Sequence, residues 1–241
     1  MKKALLIILA VVICIAAGAV YVGHAVYQAI ASGLACVNCV QVNSGGPMIT
    51  GSDHVVTENR TVTPFTAIRA DTAAEVVIDR TGTPSLSVTA DDNLVSVFTA
   101  EVRDGTLYLA DAHGKSFQTK KTAAYHVTAA NLRTIESRGS GEIEAEHLEG
   151  AALAVTVTGS GDAKLAGRAD DFTLTIKGSG DVDASALAAK RAKVVVSGSG
   201  DAKVNAADTL DIQMSGSGDV NYLGSPKVTK EGHGSGSVSH K

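Results

Sequence analysis

The chain is 241 residues long, 44% hydrophobic and 4% aromatic, with 21 Lys and Arg against 25 Asp and Glu. A net charge of -4 without a basic stripe argues against a nucleic-acid partner, and the absence of tryptophan leaves few stacking platforms for bases or sugars. The apolar fraction is too high for a disordered chain, and the length allows one ordinary domain or a small domain joined to an array.

Lys2 and Lys3 precede an uncharged run at residues 4–22, dominated by Leu, Ile, Val and Ala. As a helix this run would reach roughly 28 Å, close to the ~30 Å of a hydrocarbon core. Ala17-Gly18-Ala19 and Ala29-Ile30-Ala31 both fit the small-residue pattern of a cleavage site. Residues 1–31 are therefore expected to form one apolar helix, either a signal peptide or a transmembrane anchor that keeps Lys2 and Lys3 cytoplasmic. Either outcome exports the rest of the chain, to a periplasm, a membrane-anchored position or the cell surface. If the segment is uncleaved, the membrane is a partner.

Residues 32–60 read as a flexible tether, broken by Ser44-Gly45-Gly46-Pro47 and Gly51-Ser52-Asp53. Cys36 and Cys39 within it form a Cys-x-x-Cys pair. Lacking a βαβ setting or two further ligands nearby, the pair is expected to form a disulfide in an oxidising compartment rather than a redox or zinc site. A β region follows at 61–124. Residues 65–70, 75–80 and 85–90 alternate apolar and polar side chains, and Arg103-Asp104-Gly105 between strand patterns at 94–102 and 106–110 predicts a hairpin. The polar loop at 113–122 carries Lys115, Lys120 and Lys121; such a set could meet an anion, but reads first as a solvated loop.

From 125 to 241 the chain repeats. Gly-Ser-Gly begins at Gly139, Gly159, Gly178, Gly198, Gly216 and Gly234, at intervals of 20, 19, 20, 18 and 18 residues. Positions -6, -4 and -2 from the first glycine are apolar in unit after unit, as in Leu153, Val155, Val157 and Phe172, Leu174, Ile176. Positions +4 and +6 are apolar too, as in Ala163, Leu165 and Ala202, Val204. Both arms thus alternate with period two, and the same indices point inward in each unit. A parallel β-helix or related solenoid fits, and so does an antiparallel meander. Position +5 favours the solenoid: Glu144, Lys164, Asp183, Lys203 and Asn221 alternate in charge, which helps only if consecutive units are direct neighbours. The expected fold is all-β, a β-solenoid with an N-terminal β region, and the degraded last unit reads as a cap or a frayed C-terminal end.

Gly139, Gly141, Gly159, Gly161, Gly178, Gly180, Gly198, Gly200, Gly216 and Gly218 are expected to make structural turns at one corner of the coil, through positive φ. Asp162, Asp181, Asp201 and Asp219 would line that corner. Such a row could gather calcium, although turn-capping aspartates account for it more simply. No other cofactor is indicated. The histidines show no metal spacing, and a serine repeated this regularly marks no single nucleophile.

Phe65-Thr66-Ala67-Ile68, Ala74-Glu75-Val76-Val77-Ile78, the run from Ser87 to Leu94, Asp104-Gly105-Thr106-Leu107 and the later Gly-Ser-Gly-Asp units resemble the bacterial "putative auto-transporter adhesin, head GIN domain" family. The resemblance covers roughly residues 64–224. It implies an exported all-β protein with solenoid character in a bacterial envelope, and carries over no catalytic residues. With Ser239-His240-Lys241 directly after the repeats, secretion through an outer-membrane barrel of its own is not expected. The expected function is a non-catalytic, adhesin-like binding protein with an unknown envelope or surface ligand. The alternatives are a polysaccharide-acting hydrolase or lyase, and a structural or signalling component.

Overall fold

The described residues of the computed structural model are 48–80, 82–112 and 116–241. The expected apolar helix, its cleavage sites and the Cys36–Cys39 pair all lie outside them. No helix among the described residues is long and apolar enough to cross a membrane.

Short strands open the unit that runs to the C-terminus: β1 (Ile49–Thr50), β2 (Val55–Arg60), β3 (Ala67–Asp71), β4 (Glu75–Asp79) and β5 (Ser85–Asp91). A 3-10 turn, Val95–Val97, leads into β6 (Phe98–Arg103), then β7 (Thr106–Asp111), β8 (Phe117–Gln118), β9 (Ala124–Thr128) and β10 (Thr134–Ser137). Four long strands follow: β11 (Ile143–Val157), β12 (Ala163–Ile176), β13 (Val182–Val196) and β14 (Ala202–Met214). The chain closes with β15 (Val220–Leu223), β16 (Lys227–Gly232) and β17 (Val238–His240).

The repeats form a parallel solenoid. Leu174 pairs with Val155 and Val194, and Ala163 pairs with Ile143 and Val182, so equal indices are direct neighbours on successive coils. The inward rows are apolar and closed to solvent, as at Val155, Leu174, Val194 and Ile212. Each long strand bends at a second corner, where the register shifts between Ala145 and Leu148, Lys164 and Ala166, and Ala184 and Ala188. The bulges let coils of different length stack without shifting their inward rows.

Positive φ does not explain the Gly-Ser-Gly corner, contrary to the expectation. Left-handed backbone occurs instead at the opposite corner, at His147 (φ 53°) and Gly167 (φ 139°). What the Gly-Ser-Gly glycines supply is absence of volume. A Cβ on Gly180 would lie 2.1 Å from the Gly161 carbonyl oxygen, and one on Gly198 would lie 1.9 Å from that of Gly178. The coil backbones meet there with no room for a side chain. In that space each serine amide from Ser160 onward reaches the glycine carbonyl of the coil before it, as from Ser199 to Gly178 at 3.1 Å and from Ser217 to Gly198 at 3.0 Å.

The stack does not follow chain order. β3 and β4 form an early coil whose corner, Thr72-Ala73-Ala74, lies under Gly139 and Gly141. On its other side it pairs with β7 and β9, which come later in the chain. Residues 129–133 therefore cross from one side of this coil to the other. Antiparallel strands close this end: β5 on β9, β2 on β5, and β6 on β7. Phe98 packs edge-on against Phe117 and Tyr125, with centroids 5.2 and 6.1 Å apart. The buried Tyr125 hydroxyl donates to the carbonyls of Thr99 and Ala110, and burial pushes its ionisation well above the usual tyrosine range.

Three boundaries differ from expectation. Residues 55–60, read as tether, add β2 to the sheet; the strand is held through its backbone and the half-buried Arg60, with its other side chains exposed, so no apolar period announces it. The hairpin strand starts at Phe98 rather than Leu94, because Leu94 and Val97 turn inward together, three residues apart on a 3-10 turn. The last unit is not frayed. β16 pairs with β14 and β17 with β15 in full register, and Ser235 donates to the Gly216 carbonyl at 3.1 Å.

Replacing Gly180 by alanine should lower stability by about 3 kcal/mol, the upper end of overpacking costs, because backbone must move to admit the methyl group. Thermal melting checks this: a drop of about 6–12 °C is expected, and an unchanged melting temperature would overturn the close-approach account.

Candidate functional site

With the apolar rows turned inward, chemistry falls to the outward rows and the corner. The aspartate row is a hydrogen-bonded ladder. The Asp162 carboxylate accepts the Asp181 amide at 2.8 Å, Asp181 accepts that of Asp201 at 2.7 Å, and Asp201 that of Asp219 at 2.7 Å. Asp219 ends the series by accepting both the amide and the hydroxyl of Ser237, at 2.6 and 2.9 Å. The two bonds from Ser237 hold the Asp219 carboxyl below the usual carboxylate range.

The aspartates thus hold the next coil rather than their own turn. One oxygen of each carboxylate is committed to protein, and among the described residues no three His, Cys, Asp or Glu gather closely enough to hold a metal ion. The early coil is held in the same way from outside the repeat. Asp111 accepts the Thr72 hydroxyl and the Ala73 amide, at 2.5 and 2.9 Å.

The +5 row runs across the whole sheet. Asn59, Ser87, His126, Val77, Glu144, Lys164, Asp183, Lys203, Asn221 and Ser239 are consecutive neighbours. Its charges engage one another. Lys164 meets Glu142 at 2.6 Å and Glu144 at 3.0 Å, and these two glutamates hold its ammonium above the ordinary lysine range. Lys203 reaches Asp183 at 3.2 Å. Burial alone would raise the Asp183 carboxyl, but the Ser185 hydroxyl and amide together with Lys203 outweigh it and leave it lowered.

Two further pairs at the second corner carry no signal in the Gly-Ser-Gly alignment. Arg191 grips Asp171 through two bonds of 2.6 and 2.7 Å, and Lys190 meets Asp170 at 2.7 Å. Their positions follow from the strand register across β12 and β13, where Asp171 faces Arg191, and this register is invisible until the bulges are known. Further along the same sheet, the Tyr108 ring on β7 lies beside Arg69 and Arg103, whose guanidinium carbons stand 5.7 and 5.9 Å from its centroid. The strand patterns place Tyr108 and Arg69 in the β region, but nothing local to either shows that β7 and β3 are neighbours.

Residues 64–226 match the family described as "Putative auto-transporter adhesin, head GIN domain". Among solved structures, one described as "a putative adhesin" from Bacteroides fragilis shares 25% identity at a TM-score of 0.66, over 80% of this chain and all of that one. A "Putative lipid binding protein" from Parabacteroides distasonis shares 21% identity at a TM-score of 0.50, over 81% of this chain and all of that one. A "putative adhesin" from the same species shares 20% identity at 0.50, with the same coverage. No protein of curated function matches the sequence.

Replacing Asp181 by alanine should speed hydrogen exchange at the Asp201 amide by tenfold or more, whereas Asp181→Asn, which keeps an acceptor oxygen, should leave it protected. Millimolar calcium should leave melting unchanged in the unsubstituted protein. Acid should act on the outward row through Asp183. Its folded ionisation lies below the unfolded one, so its contribution is complete above the unfolded value and is lost as pH falls through the folded value. Asp183→Asn should accordingly flatten the loss of melting temperature below about pH 4, as thermal scans across pH would show.

Proposed function

The chain belongs to the "Putative auto-transporter adhesin, head GIN domain" family, and we propose that it is a non-catalytic binding protein of the bacterial envelope. The N-terminal apolar run directs its export and, if retained, anchors it. The single observation that carries this reading is the outward +5 row. Stacked coils set its residues about 4.8 Å apart, so the sheet offers a regular polar track instead of a closed reaction pocket. Such a track suits an extended polar polymer, engaged through many weak contacts. The adhesin descriptions of the family and of the Bacteroides fragilis structure accord with this.

The binding test uses the full chain. Immobilised envelope polysaccharides should retain it, and the double substitution Lys164→Ala, Lys203→Ala should reduce retention at least tenfold with melting changed by no more than a few degrees. Undiminished retention by the double variant, or turnover of a polysaccharide by the unsubstituted protein, would overturn the proposal. Fractionation with N-terminal sequencing tests export separately, and a cytoplasmic protein would overturn it.

A further inference from the structure

The corner column has an end, and a cleft stands there. From Gly139 onward each corner lies against the one before it, and Gly139 itself lies against Thr72. On the other side of Thr72-Ala73-Ala74 the next coil in the stack, made by β7 and β9, does not turn tightly. Its chain leaves at Asp111 and returns at Ala124, with β8 between. That departure explains why the early corner tolerates alanine methyls where later corners require glycine. It also leaves a cavity of about 230 Å3 between Ala73 and Ala74 on one side and Phe117, Thr119, Lys121 and Thr122 on the other.

The rim of this cleft is fastened at several points. Thr119 donates its hydroxyl to Asp91 at 2.7 Å, and Asp91 is 1% exposed. Lys120 turns to Asp53 at 2.9 Å, and that bond holds the Asp53 carboxyl low and the lysine high. Asn93 donates to the Thr50 carbonyl at 2.8 Å and accepts the Ser52 amide at 3.1 Å, while β1 pairs with β8. Of the described lysines in this loop, one is left over. Among the described residues Lys121 has no carboxylate within 4 Å, and the Thr122 hydroxyl makes no hydrogen bond.

We propose that this cleft binds one sugar acid, with the Lys121 ammonium on the carboxylate, the Thr122 hydroxyl on a ring hydroxyl, and Phe117 with the alanine methyls against the apolar face of the ring. Its volume is below the roughly 300–1,000 Å3 of sites for drug-sized ligands, which limits the occupant to about one ring. Fixed rim contacts reduce the ordering that binding would otherwise require. The site is independent of the outward row, and either can fail without the other.

The test is a titration of the full chain with D-glucuronate, followed by NMR shifts at Lys121 and Thr122, with D-glucose and inorganic phosphate as comparison ligands. Glucuronate should shift these signals at millimolar concentration, and glucose should bind at least tenfold more weakly. Lys121→Glu should abolish the shifts, Lys121→Arg should keep them, and Ala73→Leu, which fills the cleft, should remove them while melting stays unchanged. Equal affinity for glucose, phosphate binding as tightly as glucuronate, or shifts that survive in Lys121→Glu would each overturn the proposal. Such results would leave the polysaccharide-retention experiment unaffected, because that one reads Lys164 and Lys203.

Discussion

The solenoid depends on backbone meeting backbone at one corner. Where a Cβ on Gly178 would come within 1.9 Å of the Gly159 carbonyl, two main chains occupy the space that side chains normally keep between them. Close approach there puts the serine amides in reach of the preceding carbonyls and aligns the coils in register. Register in turn stacks Val157, Ile176, Val196 and Met214 in one inward row, and every one of them is buried. A one-residue slip would turn that row to solvent, so the corner and the core enforce the same arrangement.

Charge is organised by the same register. The aspartate ladder sets carboxylates at successive coils, an arrangement that would repel if nothing intervened, and the amide of the next coil is placed against each one. The outward row relieves repulsion by alternating sign, with Lys164 interposed between Glu144 and Asp183, and Lys203 on the far side of Asp183. The contribution of such exposed pairs to stability is small. Their regularity matters more for recognition, since a partner with a repeating polar surface would meet the same pattern coil after coil.

Much of this was legible in the sequence, and the legible part is that which repeats. Period two on both arms identified the inward residues, and the alternating charges at +5 correctly chose parallel stacking over a meander. Close approach and positive φ select the same amino acid, however, so glycine alone could not say which was required at the corner. The early coil escaped detection for a related reason. Its corner is Thr72-Ala73-Ala74, and with no tightly turned coil beyond it, selection for glycine is absent. β2 escaped because an edge strand held through its backbone needs no apolar face. The cleft beside Lys121 is bounded by segments more than forty residues apart in the chain, and no local pattern announces such a meeting.

The intercalated coil bears on how this molecule can be made and how it can lengthen. When residues 67–79 have been synthesised, neither of the neighbours that complete their hydrogen bonding has yet followed. They must remain half-paired until both 106–128 and 134–146 arrive, so the head assembles as a closed set with long-range contacts, and slowly. Downstream of Gly139 each coil needs only its predecessor. Duplication or loss of a whole unit is therefore tolerable in that stretch alone, and the length of the track can drift through evolution while the head stays fixed.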